Sequence, residues 1–219
     1  MLPVGVVAAL VVVAGAAAAA LVVTSTKLTS VTHVVSSPVT CTLTNSPTKT
    51  AADAYVDETL ASSNFGSAAT LDVKASLLLL RRYAFIRFDL SSCSIPAGAN
   101  VQSATLSLVL VGAPTSSRTY TLARVTAAWT ESGINWNNQP AVDATPSLTF
   151  AVGTTGNVTY NLSVARDVQD FLSGAVTNNG WRIVDFDSIS GTLSFAGQFG
   201  SSENGTTANR PQLRITYVS

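Results

Sequence analysis

Apolar and polar positions divide this chain into two regimes. From Met1 to Val23 the sequence reads MLPVGVVAALVVVAGAAAAALVV, with no strongly polar side chain, and the first charge is Lys27. From residue 51 onward apolar residues recur with period two. In YAFIRFDL (83–90), Ala84, Ile86, Phe88 and Leu90 share one face. In VQSATLSLVLV (101–111), Ala104, Leu106, Leu108 and Leu110 oppose Ser103, Thr105 and Ser107. In NVTYNLSV (157–164), Val158, Tyr160, Leu162 and Val164 oppose Asn157, Thr159, Asn161 and Ser163. In PQLRITYV (211–218), Leu213, Ile215 and Tyr217 face one way. Such alternation marks half-buried strands of an antiparallel sheet. The turn-forming stretches SNFGS, IPAGAN, VGAPTSS, VGTTGN, SISGT and GSSENGTTANRP separate the strands. The pattern predicts a mainly β protein, an antiparallel β-sandwich or jelly roll. One short helix is expected at RDVQDFLSG (166–174), where Val168, Phe171 and Leu172 follow helical spacing and Gly174 ends it.

Three segments follow. Residues 1–26 are expected to form one long hydrophobic helix of roughly 35–39 Å at the usual rise per residue. Pro3 stands where a missing amide hydrogen costs little, and the run Ala16–Ala20 favours helix. Residues 27–50 are rich in Ser, Thr and Val, with Pro38 and Pro47, and read as an extended stalk with strand character. Residues 51–219 carry the sandwich.

Composition narrows the function. Charged residues make up 11 % of the chain and formal net charge is zero, so nothing attracts nucleic acid or an anionic membrane face. Of the two cysteines, Cys41 and Cys93, neither lies in a Cys-x-x-Cys spacing, and the lone histidine is His33. A zinc site does not follow from these residues, and no cofactor is expected. In an exported protein the cysteines read as one disulfide; the alternative is two free thiols.

A catalytic set is hard to assemble. His33 lies in the stalk, which leaves the sandwich without a Ser-His-Asp arrangement. The carboxylates Asp53 with Asp57, and Asp185 with Asp187, share strand faces. They read as a solvated sheet face, or as oxygen ligands for a structural calcium, before they read as catalytic pairs. Trp129 and Trp136 are candidates for stacking on sugar rings, against the plainer reading of a structural plug. Asn157, Asn161 and Asn204 head Asn-x-Ser/Thr sequons and are candidate glycosylation sites.

Five stretches occur in an order that resembles the DNRLRE domain, a β-sandwich module of exported microbial surface proteins. They are ADAYVDETLASSNFGSAATLDV, RRYAFIRFDLSSCSIPAGANVQSATLSL, RVTAAWTESGINWNNQPA, DVQDFLSGAVTNNGW and ANRPQLRITY. The element WTE…WNNQP is the most specific. The naming motif is kept only in part, at Ala208–Arg214, and Cys93 is an addition to the usual turn. The resemblance implies a sandwich fold and an exported location. Some members of this broad group bind polysaccharide, and no catalytic set carries over.

The opening segment resembles the mature N-terminus of archaeal-type type IV pilins, with Gly5 where most bacterial pilins carry glutamate. A secretory signal would need a basic flank and a shorter apolar run, and a membrane anchor would be oriented by Lys and Arg. A helix apolar on every face must be buried all round, and small residues permit close helix approach. The resemblance therefore implies a structural subunit of an extracellular filament. Copies of the chain would pack through Leu2, Pro3, Val4, Val6, Val7, Leu10, Val11, Val12, Val13 and Leu21. The membrane would host the helix only before assembly, and the sandwich would be displayed for surface adhesion. Two other readings stand beside it. One is a membrane-anchored module that binds surface polysaccharide. The other is a filament joined by strand exchange, with the stalk completing a neighbour's sheet.

Overall fold

The computed structural model describes residues 37–44, 51–76, 81–186 and 194–219. The apolar helix expected over 1–26, its ten core-forming positions, and the stalk apart from residues 37–44 lie outside the described residues. Among the described residues no helix is long and apolar enough to cross a membrane.

The described strands are β1 (Val39–Thr44), β2 (Ala51–Asp57), β3 (Thr70–Ser76), β4 (Arg82–Phe88), β5 (Asn100–Gly112) and β6 (Arg118–Arg124). They continue with β7 (Leu148–Val152), β8 (Val158–Ser163), β9 (Trp181–Asp185), β10 (Ser194–Gly200) and β11 (Gln212–Val218). One helix, α1 (Ala165–Ser173), lies between β8 and β9. Hydrogen bonding runs in the order β1-β11-β5-β10-β3-β4-β9-β6-β7, with β2 added on β4 and β8 on β5.

The long strand β5 organises one layer. It pairs with β11 along Asn100–Ser107 and with β8 along Thr105–Leu110. At its far end β10 joins it opposite Leu110 and Gly112, then leaves to pair with β3. That crossing lets the two halves of the hydrogen-bonded path face each other. Leu106, Leu108, Leu110, Leu213 and Ile215 of the first half meet Leu71, Val73, Ile86, Leu122 and Ile183 of the second in one buried cluster. The result is the expected antiparallel sandwich, and its alternating leucines supply the driving force of burial.

Strand β4 departs from the expected half-buried pattern. Ala84, Ile86 and Phe88 enter the main core as the spacing predicts. The opposite face is covered as well. Phe85 joins Ala54, Val56, Val125, Trp129 and Ile134 in a second cluster, with Tyr83, Trp136 and Val142 packed around it. Residues 126–143 lie over this outer face and give β4 a second apolar partner.

Strand β1 falls in the stretch expected to be a stalk. It pairs with β11 from Val39 opposite Tyr217 to Thr44 opposite Gln212. Leu43 enters the main core. Cys41 and Cys93 form the disulfide, with Cα atoms 5.8 Å apart. Helix α1 buries Val168 and Phe171, and Gly174 caps it in the left-handed conformation. Asp167 on its first turn accepts a hydrogen bond from Nε1 of the buried Trp181 at 2.7 Å, so helix and sheet are joined by a polar contact inside the core.

Candidate functional site

The outer face of β4 starts from strand register. Phe85 stands opposite Arg182 of β9, and Arg182 stands opposite Ala123 of β6. Trp181 and Ile183 point into the main core, so alternation places Arg182 on the outer side, beside Tyr83. Its guanidinium carbon lies 5.0 Å from the centroid of the Tyr83 ring. Tyr83 in turn lies 5.0 Å from Trp136, with the rings tilted by 38°. The Arg81 guanidinium is 5.3 Å from the Trp136 ring centroid. Arg182, Tyr83, Trp136 and Arg81 thus form a continuous strip of two adjacent aromatic rings flanked by two guanidinium groups. Phe186, which continues the spacing of Arg182 and Val184, is 70 % exposed.

The two arginines differ in their partners. Arg81 donates through Nε to Oε2 of Glu58 at 2.9 Å, and this pair holds the Arg81 guanidinium more firmly protonated than usual. Arg182 is partly buried, and its Nε has no hydrogen-bond partner among the described residues. Burial pulls its proton affinity down, against the attraction of Tyr83. A buried donor without an acceptor costs free energy, and this Nε is closed to solvent.

The tryptophans of WTE…WNNQP take different places. Trp129 is 6 % exposed. Its Nε1 donates to the carbonyl of Asn179 at 2.8 Å, and its ring meets Phe85 edge-on at 5.8 Å. It is a plug, with no free face to offer a sugar. Trp136 is only partly buried and sits in the strip. A tight contact fixes this loop: the amide of Asn64 donates to the carbonyls of Glu131 and Ile134, each at 2.7 Å. A Cβ at Gly66 would stand 2.3 Å from the Glu131 carbonyl oxygen, so only glycine permits that approach.

The Asp53 and Asp57 pair read from the sequence does not converge. Asp57 receives Nε of Arg82 at 2.6 Å, and Asp185 receives Nε of Arg118 at 2.8 Å. Asp187 lies outside the described residues. Asp53 instead meets two residues far away in the chain. Carboxylate oxygens of Asp53, Glu131 and Glu203 all lie within 4.8 Å of one another. Oxygen donors so spaced are of the kind calcium takes, yet protein groups already bridge them. The backbone amide of Asp53 donates to Glu131 Oε1 at 2.9 Å, and that of Ser202 donates to Asp53 Oδ2 at 3.0 Å. The Ser202 hydroxyl lies 3.1 Å from Asp53 Oδ1 and 2.7 Å from Glu203 Oε2. One hydroxyl hydrogen cannot serve both, so a proton on Asp53 completes the set. Burial, then the charges of Glu203 and Glu131, push the Asp53 carboxyl up to about 8. Burial likewise raises Glu131.

Of the sequon asparagines, Asn157 just before β8 and Asn161 within it are exposed, and Asn161 accepts through Oδ1 from the Ser107 hydroxyl at 2.7 Å. Asn204 uses its amide nitrogen to donate to the Ala69 carbonyl at 3.0 Å.

The chain belongs to carbohydrate-binding module family 96, whose family model matches residues 44–217. No curated protein matches the sequence. The matched range covers the stretch whose motifs resemble the DNRLRE domain; the family shown is the carbohydrate-binding one, a class of non-catalytic binding modules. It does not reach the apolar opening, and nothing in it speaks for a pilin.

Proposed function

We infer that this protein is an exported, non-enzymatic module that binds polysaccharide, and that the strip Arg182, Tyr83, Trp136 and Arg81 is its contact surface. The observation that carries this reading is the stack of Tyr83 and the partly exposed Trp136 between the guanidinium groups of Arg182 and Arg81. Aromatic faces take the C–H faces of pyranose rings, and guanidinium donors take ring and hydroxyl oxygens. The family supports the ligand class, and the disulfide supports an oxidising compartment. Exposed Asn157 and Asn161 support glycan attachment on β8, whereas the engaged amide of Asn204 does not favour it.

The uncharged opening segment supports a second, more specific reading, in which residues 1–26 anchor the module or pack copies of it into a filament. Disulfide closure of β1 onto its own domain favours helix packing over strand exchange as the route of assembly.

The test is binding of the full chain to a panel of immobilised neutral and acidic polysaccharides, beside Trp136→Ala and Arg182→Met. Wild-type retention on at least one polymer, weakened tenfold or more in both variants, is the expected result. Equal retention of all three proteins would remove the strip from the mechanism, and no retention of wild type on any polymer would remove the function.

A further inference from the structure

The other end of β4 carries a second concave surface. There a cleft of about 480 Å3 opens between β2, β4 and the loop before β9. Its existence follows from the sequence. Ala52 stands opposite Arg87 in the β2–β4 register, so a methyl group faces a long side chain and leaves space beside it. The far wall is rigid. Asn178 donates through Nδ2 to the Phe88 carbonyl at 2.8 Å and accepts from the Gly180 amide at 3.2 Å. Gly180 has φ +74°, and a Cβ there would stand 2.1 Å from the Ile86 carbonyl oxygen, so the loop lies directly against β4.

The polar groups of this cleft are underused. Arg87 stacks 5.5 Å from the Trp129 ring centroid, and its one hydrogen bond among the described residues is a long 3.4 Å contact to the Trp129 carbonyl. Glu131 lines the same cleft and spends Oε1 on the Asp53 amide. Asp89 lines it too, and spends Oδ1 on the Ser91 amide and hydroxyl. The cleft therefore offers guanidinium N–H donors on one side and carboxylate oxygens on the other, over the methyl groups of Ala51 and Ala52. Adjacent ring hydroxyls match that set, because each hydroxyl both donates and accepts. Two carboxylates against one guanidinium disfavour an anionic guest.

The geometry points to a second sugar subsite in this cleft, one that takes a neutral pyranose bearing adjacent hydroxyls between Arg87 and the carboxylates of Glu131 and Asp89. The inference rests on the carbohydrate-binding reading but not on the strip. A polysaccharide held on the strip would gain a second, independent contact here, and the two weak sites would act together through their effective concentration.

Ligand-observed saturation-transfer NMR on the full chain tests it. The probes are methyl β-D-glucopyranoside, methyl β-D-galactopyranoside, methyl α-D-mannopyranoside and, as the anionic control, methyl β-D-glucopyranosiduronate. At least one neutral glycoside is expected to receive saturation, reduced fivefold or more in Arg87→Ala and in Arg87→Lys. Arg87→Lys keeps the charge and the aliphatic stem, so a loss there reports the missing fork rather than a failed fold. Saturation that survives both Arg87 variants, or that is stronger for the glucuronide, overturns the inference. No saturation from any glycoside, with polysaccharide retention intact, overturns it while leaving the strip in place. Loss of retention as well removes both.

Discussion

Arg182 holds its guanidinium 5.0 Å from the centre of the Tyr83 ring while its Nε finds no acceptor among the described residues. That combination separates a structural role from a binding role. Arg182→Met keeps the length and the packing but deletes the unpaired donor. The lost cation–aromatic contact, about 0.5–1 kcal/mol, opposes the gain from removing a buried unsatisfied group, about 1–3 kcal/mol. The melting temperature is expected to stay level or rise, while polysaccharide retention falls. A melting temperature that drops by more than a few degrees would mark Arg182 as structural.

Trp129 and Trp136 should respond in opposite ways. Trp129→Ala removes a buried ring and its hydrogen bond to Asn179, at about 3–5 kcal/mol. Trp136→Ala removes a partly exposed ring, at about 1 kcal/mol. Chemical denaturation of the two variants, with an unchanged m-value as the check on the native state, reads this difference directly.

The Cys41–Cys93 disulfide spans 52 residues of sequence. Closing a loop of that length is worth about 4 kcal/mol in the chain-entropy account. The Cys41→Ser, Cys93→Ser double variant is therefore expected to unfold at clearly lower denaturant, with a shift near that size. The wild-type protein in reducing agent should follow it.

Asp53 makes stability depend on pH with a defined sign. Its folded carboxyl is pushed up to about 8, whereas the unfolded value is near 3.8. Between those two values the folded state binds a proton that the unfolded state has released. Stability from this group is thus present below about pH 4 and is lost progressively as pH rises through about 8. Asp53→Asn, which stays neutral, should melt at temperatures that vary less between pH 5 and pH 8. An unchanged slope would show that another group carries the dependence.

Much of this architecture is legible from local pattern. The alternating apolar residues of β5 and β11 declare which side is core, and Gly174 marks the end of α1, because burial and capping act within a few residues. What sequence pattern cannot show are relations set by register and by long-range return of the chain. Trp129 and Trp136 sit in one motif and look equivalent. Only the fit of residues 126–143 over Phe85 makes one a plug and the other a surface. Asp53, Glu131 and Glu203 lie on three distant segments, so their meeting leaves no spacing signal, while Asp53 and Asp57 look paired yet turn to Ser202 and to Arg82. Arg182 could have been suspected as a charge in the otherwise apolar-flanked WRIV of β9, but its want of a partner emerges only when β4 and β6 are laid on either side of it.

The cross-link between β1 and the turn after β4 also has a mechanical meaning. Any pull transmitted through the residues that precede β1 enters the sandwich along that strand, at its outermost hydrogen bonds to β11. Peeling can free Val39 and Thr40, but at Cys41 the load passes through a covalent bond into Cys93. The intervening 52 residues of sequence separation, roughly 170–190 Å of extensible chain, are shielded from tension. A module that grips a surface while tethered at its N-terminal end would then resist stretch and keep its binding face in shape under load.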